Sequence, residues 1–239
     1  MHRTVYFNDL NRIDFKDAWD FQEELFNRNI EIKKQSNKSL TETTKNYLLI
    51  CEHPHVYTLG KSGKANNLLV DENFLSKIGA DYFEINRGGD ITYHGIGQIV
   101  VYPILDLENF KIGLKKYIYN LEEIVIMTLL EYGIKSTRIP EATGVWIYSK
   151  TINIQEKICA IGVRSSRFIT MHGLAFNINT DLKYFNYINP CGFTNKGVTS
   201  LKKELGKEVH LSEVVEKLIR NFITVFKIDN LIALNKKIP

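Results

Sequence analysis

Cys191 stands in a setting suited to covalent chemistry. It lies in NINPCGFTNKGVTSL, between Pro190, which fixes the chain, and Gly192, which leaves room for close approach. A thiol in a Gly/Pro/Asn-rich loop is open to a substrate, and its thiolate could act as a nucleophile. The local sequence leaves two readings open, nucleophile or structural loop cysteine. Cys51 in LLICEH and Cys159 in KICAIG lie in apolar strand patterns and read as small core residues.

A nucleophilic thiol needs a nearby cation or helix N-terminus to lower its pKa. Three residues could serve: Lys157 at the head of KICAIGVR, His172 in MHGLAFN between two expected strands, and His94 in TYHGIG. Each also has an ordinary reading, a solvated strand edge for the lysine and a turn for the histidines. Sequence distance does not choose among them, because partners in a site meet in space.

The densest cluster is RGGDITYHGIGQ, residues 87–98, with four glycines, an arginine, a histidine and a tyrosine. As structure it is a glycine-rich hairpin. As a site it is a cradle whose backbone N–H groups approach a ligand, with Arg87 supplying charge. Neither the phosphate-loop nor the dinucleotide glycine fingerprint is present. Cys51, His53 and His55 have no second Cys/His pair at zinc spacing, so no metal site is expected.

The elements that must position these residues follow from periodicity. TVYFNDL reads as a short strand, and Phe15, Trp19, Leu25, Phe26 and Ile30 fall at near-helical spacing. NYLLICEH, residues 46–53, reads as a buried strand, and residues 56–68 as a loop with Lys61 and Lys64. DYFEI, DITYH and QIVVYPILDL predict a strand meander broken by Gly88-Gly89 and Gly95-x-Gly97. Leu114, Ile118, Leu121, Val125 and Leu129 predict a long amphipathic helix. GVWIYS, KICAIGVR, FITMHGL and AFNINT predict four further strands. A last helix is expected from an N-cap at Ser212, with Val214, Val215, Leu218, Phe222 and Phe226 on its apolar stripe. Strands and helices are segregated, so the expected class is α+β: a mixed, mainly antiparallel sheet with packed helices.

The 239 residues, 44% hydrophobic and 24% charged, suit one globular domain spanning 1–239 and exclude wholesale disorder. No apolar run approaches the roughly 20 residues needed to cross a bilayer, and the N-terminus lacks a secretory h-region. Three cysteines suit a reducing compartment, so a cytoplasmic location is expected. A net charge of +4 permits an acidic partner without implying nucleic acid.

Several motifs together resemble one family. EHPHVYTLGKSG, ANNLL, RGGDITYHGIGQIVVYPILDL, GVWI, KICAIGVR, HGLAFNIN, NPCGF and VTSL occur in the order found in the octanoyl-[acyl-carrier-protein]–protein transferases, the lipoate–protein ligase B family. The resemblance implies the α+β fold of biotin and lipoate protein ligases, related to class II synthetase cores. It also implies transfer of an octanoyl group from acyl carrier protein to a lysine of a lipoyl domain. The implied acceptors are lipoyl domains of 2-oxoacid dehydrogenase subunits and the glycine cleavage H protein. No cofactor, membrane or nucleic acid is implied.

On this resemblance Cys191 is the acyl-thioester nucleophile and Lys157 its proton-shuttling partner. Arg87, Gly88, Gly89, Asp90, Ile91, Thr92, Tyr93 and His94 line the substrate site. So do Ala160, Ile161 and Gly162, and the turn Gly173, Leu174 and Ala175 after His172. The family usually has proline where Ile96 and His55 stand and alanine where Cys159 stands. Cys159, two residues from Lys157 on a strand, is expected on the same face as a second thiol near the site. Lys61, Lys64, Arg87, Arg164 and Arg167 are expected around the pocket mouth, facing an acidic carrier. An ATP-dependent lipoate or biotin ligase of the same fold is the competing reading. A catalytically silent acyl-protein binding module is a third, disfavoured by the pairing of Cys191 with Lys157.

Overall fold

The computed structural model describes residues 3–35, 42–149, 153–189 and 196–234. The elements run β1 (Thr4–Arg12), α1 (Phe15–Gln35), β2 (Asn46–Glu52), β3 (Val56–Leu59), α2 (Glu72–Lys77), β4 (Asp81–Glu84), β5 (Ile91–His94) and β6 (Gln98–Ile104). They continue with α3 (Leu107–Phe110), α4 (Leu114–Leu130), β7 (Thr137–Ile139), β8 (Ala142–Ser149), β9 (Ile154–Ser166) and β10 (Ile169–Asn177). The last are β11 (Gly197–Val198), α5 (Leu201–Leu205), α6 (Leu211–Phe226) and β12 (Asn230–Ala233).

The main sheet has the order β12-β1-β2-β6-β10-β9-β8-β7, with β11 lying along β9. Pairing is antiparallel from β2 through β7 and parallel at β12-β1-β2 and at β11. A small second sheet, β4-β3-β5, stands apart. This is the mixed, mainly antiparallel α+β architecture expected.

Strand alternation sorts the core. On β2, Leu48 and Ile50 pack with α4 and α6, while Tyr47, Leu49 and Cys51 face α1. On β6, Ile99 and Val101 join the first layer and Val100 and Tyr102 the second. Both faces are covered, which is why these strands read as unbroken apolar runs. The small sheet builds its own cluster from Tyr57, Leu59, Ile91, Tyr93 and the turn at residues 182–187.

Four expectations need correction. Residues 56–68 are not all loop: Val56–Leu59 forms β3, buried and paired on both sides, because its apolar residues find partners in β4 and β5. FITMHGL and AFNINT are one strand, β10, so His172 and Gly173 to Ala175 lie inside a strand rather than in a turn. Helix α6 begins at Leu211 behind His210, so Ser212 sits in its first turn and is not the cap. Leu114 is 41% exposed, and the buried stripe of α4 starts at Tyr117.

Candidate active site

A cavity of about 390 Å³ lies on the α1 face of the main sheet, roofed by the small sheet. Its floor is set by register. Ala175 pairs with Val100 of β6 on one side and Ala160 of β9 on the other, and Gly173 pairs with Gly162. Four adjacent small residues thus hollow the sheet surface into a trough. Gly162 must stay small: a Cβ there would lie 2.9 Å from both Arg87 Cδ and Gly88 O. The walls are largely apolar, with Phe15, Ile85, Ile91, Val100, Tyr102 and Trp146 among them.

Lys157 stands at one side of the trough. Its Nζ donates to Thr143 O at 3.2 Å and lies 4.6 Å from the centre of the Trp146 ring, its cross-strand neighbour. The register slips by one residue between Val145↔Cys159 and Trp146↔Lys157. This bulge turns both Ile158 and Cys159 into the α4/α6 core and returns Lys157 and Ala160 to the cavity. Cys159 is therefore not a second thiol at the site. It is fully buried, and desolvation pushes its thiol pKa well up. Cys51 is likewise buried, its Sγ 3.4 Å from His53 Nε2, and burial raises its pKa.

Cys191 lies outside the described residues, as does Pro190. The chain re-enters at Lys196, which lines the cavity with its Nζ 5.2 Å from the Trp146 ring centre. Strand β11 then pairs Val198 with Lys157, and Thr199 N donates to Lys157 O at 3.0 Å.

A directed hydrogen-bond chain underlies the RGGDITYH segment. Arg87 Nη2 donates to Thr58 O at 2.6 Å and to Thr58 Oγ1 at 3.0 Å. Thr58 Oγ1 donates to His94 Nε2, and His94 Nδ1 donates to Gln98 Oε1 at 2.8 Å. Gln98 Nε2 donates to Asn177 Oδ1 at 2.8 Å, and Asn177 Nδ2 to Thr199 O at 3.1 Å. The chain links the glycine turn to the segment that follows Cys191. Burial, chiefly, lowers the His94 pKa to about 3, so the ring is neutral and holds one tautomer.

Arg87 lines the cavity as expected, but as a buried strut and not as an exposed charge at the rim. Arg87→Lys is expected to cost about 1.5–3 kcal/mol, because an ammonium cannot span the same acceptors. Urea unfolding measures this, and an unchanged midpoint would remove the strut role.

The other expected residues divide by position. Gly89, Asp90, Ile91, Thr92, His94, Ala160, Ile161, Gly162, His172, Gly173, Leu174 and Ala175 all line the cavity. Gly88 and Tyr93 are not among the lining residues. Gly88 bonds through its N to Val163 O. Tyr93 points away by strand alternation, stacks on Tyr184 and shares a hydrogen bond with His55 Nδ1 at 2.7 Å. His172 has φ 61 in mid-strand, held where its N–H meets Gln22 Oε1 at 3.2 Å, and burial lowers its pKa to about 3.

His53 and His55 do not converge. His53 Nδ1 donates to Ile13 O and its Nε2 accepts from Tyr102, while His55 is stacked between tyrosines. Arg164 pairs with Glu23 at 2.7 Å, and neither it nor Arg167 lines the cavity. Among the expected cations Arg87 lines the cavity, and Lys61 and Lys64 do not, although Lys61 adjoins the lining residue Ser62.

Sequence reasoning missed Phe15, Ile85, Gln98, Tyr102, Trp146, Asn177 and Lys196 as cavity residues. Gln98, Asn177 and Lys196 sit within or beside the motifs already singled out. The apolar ones carry no local signal separating a cavity wall from ordinary core.

Residues 14–223 match the lipoyl protein ligase A/B catalytic domain. An octanoyltransferase of Christiangramia forsetii is 53% identical over 229 residues, covering 95% of this chain and 97% of that protein. An octanoyltransferase of Bacteroides thetaiotaomicron is 54% identical over 210 residues, covering 88% of this chain and 90% of that one. Among solved structures, a bi-partite lipoate protein ligase of Thermoplasma acidophilum superposes over 99% of this chain and 89% of its own, with a TM-score of 0.70 and 17% identity. That likeness is one of fold, and it agrees with the ligase-like α+β architecture expected from the motifs.

Proposed function

The chain belongs to the lipoyl protein ligase A/B catalytic domain family and is an octanoyl-transferring acyltransferase of protein lipoylation, and from that premise we propose that it takes its acyl group from octanoyl-acyl carrier protein, holds it as a thioester on Cys191 and passes it to a lysine of a lipoyl domain. The acceptors are the lipoyl domains of 2-oxoacid dehydrogenase subunits and the glycine cleavage H protein, and the setting is the cytoplasm. The carrying observation is the pairing of β11 with β9, which lays the segment after Cys191 against Lys157 beside an apolar trough. Lys196 is five residues from Cys191, a span of at most about 18 Å, and already lines the cavity.

The chemistry follows from these groups. The Lys157 ammonium favours the Cys191 thiolate, which attacks the donor thioester carbonyl and expels the carrier thiolate; Lys157 gives that sulfur a proton and becomes the free amine. The two thioesters are nearly equal in energy. The acceptor amine then attacks the acyl-enzyme, and Lys157 as free amine takes its proton while the Cys191 thiolate leaves and an amide forms. Backbone N–H groups of the glycine turns are the donors to each oxyanion. The trough receives the octanoyl chain.

Intact-mass measurement after incubation with octanoyl-acyl carrier protein tests the reading. An octanoyl adduct on Cys191, without ATP, is expected. Absence of the adduct together with octanoate-dependent ATP–pyrophosphate exchange would give the site to an adenylating ligase instead.

With Lys157 and Lys196 lining the pocket and exposed Lys61 next to the lining residue Ser62, an acidic carrier is steered by charge. The apparent KM for octanoyl-acyl carrier protein is expected to rise roughly tenfold from low to high salt, and that for octanoyl-pantetheine to stay nearly constant. An equal response from both donors would place recognition on the acyl chain alone.

A further inference from the structure

The trough has a closed end opposite its lysines. It crosses β8, β9, β10 and β6, three strand spacings or about 14 Å, from Trp146 on β8, over whose ring the Lys157 ammonium lies, to Val100 and Tyr102 on β6. At the far side Phe15, the first residue of α1, stands over it with Ile85. Phe15 is 4% exposed, with ring centroids of His53 at 5.5 Å and Phe83 at 5.4 Å. Behind it lie Val56, Phe83 and Trp19, an apolar cluster separate from the main core. The open side is the lysine side, where the lining residues Glu141 and Thr143 are exposed and Lys196 is half-buried.

An extended eight-carbon acyl group is about 9 Å long, at ~1.3 Å per bond along its axis. Laid from a thioester near Lys157, it takes up the trough once the C–S bond, about 2 Å, and the contact distance to a blocking ring, about 4 Å, are added to its length. Resting on the proposed acyl transfer, we infer that Phe15 is the stop that sets acyl chain length at about eight carbons. Its ring touches the terminal methyl, and nothing else from α1 lines the cavity. Truncating the side chain to alanine removes six ring carbons and opens the slot toward Val56, Phe83 and Trp19, enough for two to four more methylenes.

The test measures kcat/KM for transfer from acyl-acyl carrier proteins of six to fourteen carbons, using the full chain and its Phe15→Ala, Phe15→Leu and Phe15→Trp variants. Each newly buried methylene favours the longer donor by about fourfold. Phe15→Ala is expected to raise the twelve- to eight-carbon ratio by on the order of 50-fold. Phe15→Leu should move the optimum by one or two carbons and Phe15→Trp should move it down to six. The leucine and tryptophan variants keep an apolar residue at the head of α1 and decide the matter if the alanine variant does not fold. Wild-type ratios in Phe15→Leu and Phe15→Trp, with octanoyl transfer intact, would overturn the inference and leave the acyl-transfer reading standing. No transfer of any acyl group by the wild-type chain would end both.

Discussion

Cys191→Ala is expected to abolish both the acyl adduct and octanoyl transfer, while Cys51→Ala leaves both in place. The contrast rests on position. Cys51 is buried beneath α1, and desolvation holds its thiol protonated. Cys191 lies in a glycine- and proline-flanked segment whose continuation lines the cavity. Losing the nucleophile of a covalent mechanism removes the route itself, and a fall of at least about 10³-fold in kcat is expected. Lys157→Arg should be almost as damaging. It keeps the cation beside Trp146 but cannot give up a proton at neutral pH, so the amine-attack step stalls. Rapid adduct formation with slow release to the acceptor, followed by single-turnover mass spectrometry, would be the signature. Near wild-type turnover by Cys191→Ala would remove the thioester, and full turnover by Lys157→Arg would remove the proton shuttle.

The second large effect is acid lability. His53, His94 and His172 are buried as neutral rings, their pKa values lowered chiefly by desolvation to about 4, 3 and 3. An unfolded histidine titrates near 6.5. Above that pH neither state binds the protons, and the three make no pH-dependent contribution. Below it the unfolded chain takes up three protons that the native state refuses. Stability then falls by about 1.4 kcal/mol per pH unit for each ring, about 4 kcal/mol per unit together, until roughly pH 4. Total stabilities of ~5–15 kcal/mol do not survive two to three such units. Urea midpoints at pH 7.5, 6.5, 5.5 and 4.5 should fall by only about 1 kcal/mol in equivalent stability across the first step and drop steeply thereafter, with cooperative unfolding above pH 4. His53→Gln, which can keep the donation to Ile13 O, should reduce the slope by about one third. Constant stability between pH 7.5 and 5 would show that the rings protonate within the fold.

The amino-acid sequence by itself determined the class of fold and the chemistry-bearing segments. Its apolar runs at 46–53 and 98–104 are continuous because both sheet faces are covered, and that is visible without coordinates. RGGDITYH announces itself as a cradle by its glycines, whereas KICAIG and HGLA are marked as site segments only by their resemblance to the family. What each residue does there was decided by tertiary structure. Arg87 carries a charge in any sequence reading, and only the approach of Thr58 from another strand makes it a buried strut. Cys159 follows Lys157 by two, which implies a shared face, until the bulge at Ile158 separates them. Tyr93 stands between two cavity residues and points away from both because a strand alternates. Phe15 reads as one more apolar residue of an amphipathic helix. Its place at the end of the trough depends on where α1 crosses the sheet. Local pattern fixes which residues a segment offers; contacts between residues far apart in the chain choose which of them meet.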